Sequence, residues 1–133
     1  MNLPHNFATT FLLAVLLLLS GFVSAEESGN SNDTNVKVAA IIVNLPGPTQ
    51  QFIQVEMTLK LASPEIAEKV RTYMPVIRHK MILLLSGKDA EQLRLVEGKK
   101  KLVQESKNAI NQALDLKEKE GVSEVLFTSF LIQ

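Results

Sequence analysis

The sequence predicts an α+β domain: an antiparallel sheet of about three strands, made from a β-hairpin, two to three helices and a C-terminal strand. Three observations carry that expectation. Apolar and polar residues alternate strictly from Val55 to Leu61, just after a β-branched run from Val36 to Leu45. Between Ser63 and Glu118 the apolar residues recur instead at three- and four-residue steps, the period of a helix. From Val122 to Ile132 the composition returns to that of a strand.

The first 25 residues stand apart from this domain. Residues 7–25 carry no charge and end in Val23-Ser24-Ala25 before the acidic pair Glu26-Glu27. The apolar centre from Phe11 to Leu19 has the length of a secretory h-region rather than of a full span. Small residues at Val23 and Ala25 place a signal cleavage between Ala25 and Glu26. The competing reading is an uncleaved anchor, since a helix over residues 7–25 would be about 28 Å long, just enough to cross a bilayer. No Lys or Arg precedes the apolar run, so topology rests on the amino terminus alone. Both readings place the rest of the chain outside the cytoplasm. Membrane contact is then confined to residues 7–25, and only if they are not removed.

The absence of cysteine excludes disulfides and a lipid-anchored export route. Residues 26–35, EESGNSNDTN, hold no apolar side chain and read as a flexible linker. The domain itself is expected over residues 36–133.

Val36 to Leu45 is the first strand, stopped by Pro46-Gly47-Pro48. The alternating segment that follows pairs back on it, with one face buried and one wet. Ser63-Pro64 starts a helix, with Ser63 as cap and proline in the first turn. Its stripe is Ile66, Val70, Met74, Ile77, Met81 and Leu84, and Pro75 is expected to kink or break it near Tyr73-Met74. Beyond Pro75, Val76, Ile77 and the run from Met81 to Leu85 cover nearly the whole circumference. Such a helix is either sandwiched between the sheet and the next helix or presents part of its surface to another subunit or partner.

Ser86-Gly87 ends that helix, and Asp89 with Gln92 forms a capping signature. A long helix is expected from Val96 to Glu118, with Leu102, Ser106, Ala109, Ile110, Ala113 and Leu114 inward and Gly121 closing it. Lys99-Lys100-Lys101 reads as a solvated face, with Glu97 and Glu105 four residues either side of Lys101. The last strand is apolar on both faces under strict alternation, which places it inside the sheet.

The formal net charge is zero, and no clustered basic surface of the kind duplex binding requires is evident. Nucleic acid is therefore not an expected partner. A single histidine, His79, remains after residue 25, and no cysteine nucleophile accompanies it. One imidazole among scattered carboxylates does not make a zinc site. The glycines mark turns and helix ends rather than a phosphate loop. No catalytic residue, metal site or cofactor is expected, and the protein reads as non-enzymatic.

Several short motifs occur in a fixed order: Asn44-Leu45, Val55 to Leu61, Met74-Pro75-Val76-Ile77-Arg78, Leu83-Leu84-Leu85-Ser86, Glu97-Gly98-Lys99 and Val125 to Phe130. Together they resemble the flagellar basal-body-associated FliL family, from about Val36 to Gln133. That resemblance implies a periplasmic domain similar to the stomatin and prohibitin type. It also implies association with flagellar stator and basal-body proteins, a homo-oligomeric ring if the chain is anchored, and roles in flagellar rotation, swimming or swarming and control of rotation in chemotaxis. Position by position, Met74, Pro75, Arg78, Glu97 and Gly98 match the family's motifs, and with Ile82 and Leu83 they are the interface candidates. The resemblance also implies, as the family's usual form, an uncleaved membrane helix behind a short basic tail; cleavage here would instead make a diffusible periplasmic FliL-like paralogue. The alternative function on the same fold is a soluble periplasmic ligand-binding or adaptor module.

Overall fold

The computed structural model describes residues 33–133. The signal or anchor segment, its cleavage pair Ala25 and Glu26, and most of the 26–35 linker lie outside the described residues. Strand β1 (Asn35–Leu45) and strand β2 (Gln51–Leu61) form the expected hairpin. A 3-10 turn over Pro64–Ile66 leads into helices α1 (Ala67–Thr72), α2 (Met74–Ser86), α3 (Ala90–Arg94) and α4 (Val96–Leu114), and strand β3 (Val122–Ile132) completes the sheet. All pairing is antiparallel, in the order β1-β2-β3.

The terminal strand therefore lies at an edge, and β2 is the central strand. The expectation that β3 sits inside the sheet is corrected, and the physical reason is a change of side-chain parity. Val125 pairs with Leu59 and Phe127 with Met57, but Ser129 pairs with Glu56, so Thr128 is an extra residue. Beyond this bulge Phe130 and Ile132 face inward, although strict alternation would turn them out. One inner face thus collects Val125, Phe127, Phe130 and Ile132, leaving Leu126 and Leu131 on the open face.

The same device occurs in β1. Val38 pairs with Met57 and Ile41 with Val55, so Ala39 and Ala40 together oppose Glu56. Val36 and Val38 before the bulge, and Ile41, Val43 and Leu45 after it, are all buried on one face. A third bulge at Ser123 adjusts the start of β3, where the Ser123 hydroxyl donates to the Lys60 carbonyl at 3.1 Å. The central strand needs no correction, and Ile53, Val55, Met57, Leu59 and Leu61 alternate inward throughout.

The helices cover this inner face alone. Helices α1 and α2 lie against β1, and α4 lies against β3 and α2. Among the described residues there are four helices rather than two or three. Pro75 separates α1 from α2 at Tyr73, as expected, and the extended backbone of Leu95 separates α3 from α4. Asp89 accepts from the Gln92 N–H at 3.0 Å, the anticipated cap. Ser63 caps no backbone group; its side chain engages Glu65 and holds that carboxyl below its ordinary range.

Two expectations about the end of α4 are corrected. The helix stops at Leu114, not Glu118, because Asp115 adopts a left-handed conformation (φ 52°). The Leu116 N–H then reaches the Asn111 carbonyl at 3.0 Å and the Asp115 N–H the Gln112 carbonyl at 3.2 Å, a Schellman arrangement with Asp in the usual glycine position. Gly121 does not terminate the helix. A Cβ there would lie 2.2 Å from Asn111 Oδ1, so glycine leaves room for the Asn111 amide. That amide accepts from the Val122 N–H at 2.7 Å and donates to the Val122 carbonyl at 3.0 Å, pairing with the strand as a neighbouring backbone would. Glu118, in the following turn, accepts from the buried Lys107 ammonium at 2.5 Å.

Replacing Asn111 with Ala leaves a buried N–H and carbonyl at Val122 unpaired. The expected cost is about 2 kcal/mol or more, read as a lower urea midpoint, with amide exchange at Val122 rising ahead of that of the β1–β2 hairpin.

Candidate interaction surface

The interface candidates on α2 owe their positions to one contact with the sheet. Ile77, Met81 and Leu85 form the buried stripe of this helix, and Met74 packs beside it. From the same helix Arg78 reaches the β1 bulge, donating to the Ala39 carbonyl at 2.7 Å and the Ala40 carbonyl at 2.9 Å. The planar guanidinium fork suits two adjacent acceptors, and a bulge brings two consecutive carbonyls within its reach. Arg78 thus serves backbone oxygens rather than a carboxylate, and it fixes where α2 sits along the strand.

The remaining circumference of α2 is not covered. Val76 is 41% exposed, Ile82 39% and Leu83 57%, with Tyr73 exposed just before the helix. Pro75 sits in the exposed first turn. The helix is therefore not sandwiched on all sides: three inward residues dock it, and Val76, Ile82 and Leu83 form an apolar surface facing outward. His79 and Lys80 lie among them, exposed.

Glu97 and Gly98 occupy the first turn of α4, on a different part of the surface. Glu97 is exposed at the positive end of the helix, where a carboxylate is favoured. A Cβ on Gly98 would lie 1.8 Å from the Gln92 carbonyl oxygen and 2.7 Å from its carbon. Gly98 lets the first turn of α4 press against the backbone of α3, and Leu95 and Val96 are left exposed at that corner. Sequence reasoning passed over these two residues and the exposed Ile42, Leu126 and Leu131 of the open sheet face. The signal for the sheet residues was the parity switch within β1 and β3.

Charged residues also pair differently from expectation. Glu105 engages Lys88, from the loop after α2, rather than Lys101. Lys99 lies over the Phe130 ring, 5.4 Å from its centroid. Among the described residues no group of acidic, His or Cys side chains is arranged to hold a metal, and no helix is long and apolar enough to cross a membrane. Hollows open at the surface: one of 720 Å³ is lined by Lys117–Glu120 and Ser123, and one of 530 Å³ runs between α4 and β3.

This is a domain with a buried apolar core, a helix set on a bulged edge strand, and apolar side chains displayed outward. The family model for the flagellar basal body-associated protein FliL matches residues 36–133, every element of the fold except its first strand residue. The chain belongs to the FliL family. Relatives include the flagellar protein FliL of Escherichia coli strain K12, 33% identical over 92 residues that make up 68% of this chain and 59% of the relative. The flagellar protein FliL of Aquifex aeolicus strain VF5 is 34% identical over 93 residues, 69% of this chain and 56% of its own length. The chain thus spans less than two thirds of the length of these relatives. FliL is a structural rather than an enzymatic family, which agrees with the reading made from the residues.

Two classes of substitution separate the structural residues from the displayed ones. Gly98→Ala should destabilise by about 1–3 kcal/mol, because backbone rather than a flexible side chain must move. Arg78→Ala, which strips the bulge carbonyls of their donors, should cost about the same. Leu83→Asp should stay within about 0.5 kcal/mol of the parent. Thermal or urea melts on purified protein rank the three, and a large loss at Leu83 would mean that its side chain is covered in solution.

Proposed function

We propose that this protein is a non-enzymatic component of the flagellar basal body that associates with the stator and supports rotation. In this reading the domain acts in the bacterial periplasm and contributes to swimming or swarming and to control of rotation during chemotaxis. It is delivered by residues 1–25, either as a cleaved signal ending at Ala25 or as a single-pass inner-membrane anchor. An anchored chain would assemble as a homo-oligomeric ring, because tethering to one membrane raises the local concentration of neighbouring copies.

The observation that carries the reading is the coincidence of the family match with the whole described fold, residues 36–133. The outward surface of α2 supports it, since apolar side chains held at the surface by a rigid helix suit protein contacts. Met74, Pro75 and Arg78 would set the pose of that helix, and Ile82 and Leu83 would make the contact. Glu97 and Gly98 would shape a second contact at the α3–α4 corner. The alternative of a ligand-binding or adaptor module draws less support: a small-molecule site is concave and buries most of its ligand, whereas the hollows here open at the surface.

Deletion of the gene should reduce spreading in soft agar without loss of growth, and the wild-type chain should restore it. An Ile82→Asp, Leu83→Asp double variant that melts like the wild type should fail to restore spreading. Motility unaffected by the deletion would refute the flagellar reading. Full rescue by the double variant would keep the flagellar role but remove α2 as the contact surface.

A further inference from the structure

Each edge of the sheet has some backbone groups taken by a side chain and others left open, and the β3 edge is set apart by the groove beside it. On β1, Arg78 occupies the bulge carbonyls and α1 and α2 pack alongside. On β3, Asn111 occupies both backbone groups of Val122, but no side chain among the described residues bonds the backbone of Phe130 or Ile132. The Phe52 N–H donates to the Gln133 carbonyl at 2.8 Å, and the Gln133 N–H returns to the Phe52 carbonyl at 3.0 Å. In an antiparallel ladder such hydrogen-bonded pairs alternate with pairs whose backbone groups point away. Leu131 and Ser129 therefore face β2, while Phe130 and Ile132 direct their N–H and C=O groups outward.

Beside this open edge runs a groove. Val96, Val103, Phe127 and Phe130 line the 530 Å³ hollow, and a 320 Å³ hollow continues it past Arg94 to Ile132. The two share Lys99 and Phe130. Charge along the strip is one-sided. The single carboxylate lining it, Glu124, lies 3.2 Å from Lys60. Lys99 and Lys100 make no ion pair among the described residues, and Arg94 has only a 3.6 Å exposed contact with Glu91.

We propose that the outer edge of β3 is a docking strip for an extended, acidic segment of a partner protein. The segment adds a fourth strand, pairing its backbone with Phe130 and Ile132. Its groove-facing side chains, alternate residues about 7 Å apart, include apolar ones that enter between Val96, Val103 and Phe130 and carboxylates that meet Lys99 and Lys100. Backbone pairing supplies affinity while groove and lysines supply selection. A second copy of this chain suits the strip less well, because pairing β3 to β3 brings both sets of lysines together. The proposal does not depend on the flagellar reading.

The test uses the full chain in detergent with amide exchange resolved at single residues. The probe is an amidated seven-residue peptide with valine and glutamate at the alternate positions that face the groove and threonine at the rest, compared with a counterpart carrying lysine in place of glutamate. Without peptide, Phe130 and Ile132 should exchange fast while Leu131 and Ser129 exchange slowly. The glutamate peptide, at about ten times its Kd, should slow Phe130 and Ile132 by about tenfold, and the lysine peptide should not. A Lys99→Glu, Lys100→Glu double variant should reverse the preference. Lys100→Glu alone, which leaves Lys99 over Phe130, should shift it in the same direction. The proposal is overturned by no slowing, by equal slowing with both peptides, or by slowing confined to β1. Protection that rises with protein concentration alone would assign the edge to a second copy and overturn it too. None of these readouts involves motility, so failure here is distinct from failure of the flagellar reading.

Discussion

A continuous apolar face on a three-stranded sheet is the constraint on which the domain depends. A single layer of helices can shelter only one side, so each strand must send its large side chains to that side along its full length. The central strand does so by simple alternation from Ile53 to Leu61. The outer strands change parity midway, and the bulges at Ala39–Ala40 and Thr128 absorb the change. Both lie beside Glu56 or the adjoining Met57, so the two edge ladders are interrupted at the same height. Extra twist is concentrated there, which helps a short sheet curl around α2 and α4.

Once a bulge is used, its freed backbone groups need partners, and this links the sheet to the helices. In β1 the partner is Arg78, so the residue that satisfies the bulge also sets the position of α2. At the start of β3, beside the Ser123 bulge, Asn111 takes the outward edge groups of Val122 and so joins the last turns of α4 to the strand. Gly121 is the space this second link requires. Lys107 and Glu118 close the same corner with a charge pair. Two side chains acting on main chain thus hold the two long helices to opposite edges of one sheet.

Much of this was legible in the sequence. The hairpin followed from β-branched residues, strict alternation and the Pro46–Pro48 stop; the break at Tyr73 followed from Pro75, and the cap at Asp89 from its spacing to Gln92. What escaped was whatever required knowing a partner. Strict alternation applied to Val125 to Ile132 made both faces look apolar and hid the Thr128 bulge, and with it the edge position of β3. The end of α4 was hidden because Asp115 takes a conformation that glycine usually marks, while Gly121, which resembles a terminator, serves a side chain ten residues earlier. Of the candidate residues, Ile82 and Leu83 lie exposed as an interface would need. Arg78 and Gly98 make internal contacts that composition could not reveal: a bulge carbonyl pair and a backbone approach.

The sheet also has two poles. Thr34, the second described residue, accepts from the Leu61 N–H, and Gly121 accepts from the Ala62 N–H at the same end. The β1–β2 turn and the C-terminal end of β3 lie at the other, the length of an eleven-residue strand away, or about 35 Å. A pull between the chain upstream of Asn35 and anything gripping the far half of β3 would run parallel to the strands. Ladder bonds stand perpendicular to the strands, so such tension loads both ladders in shear, many bonds at once, instead of peeling them one by one from an end. Mechanical strength would then come from the length of the strands rather than from the depth of the small core.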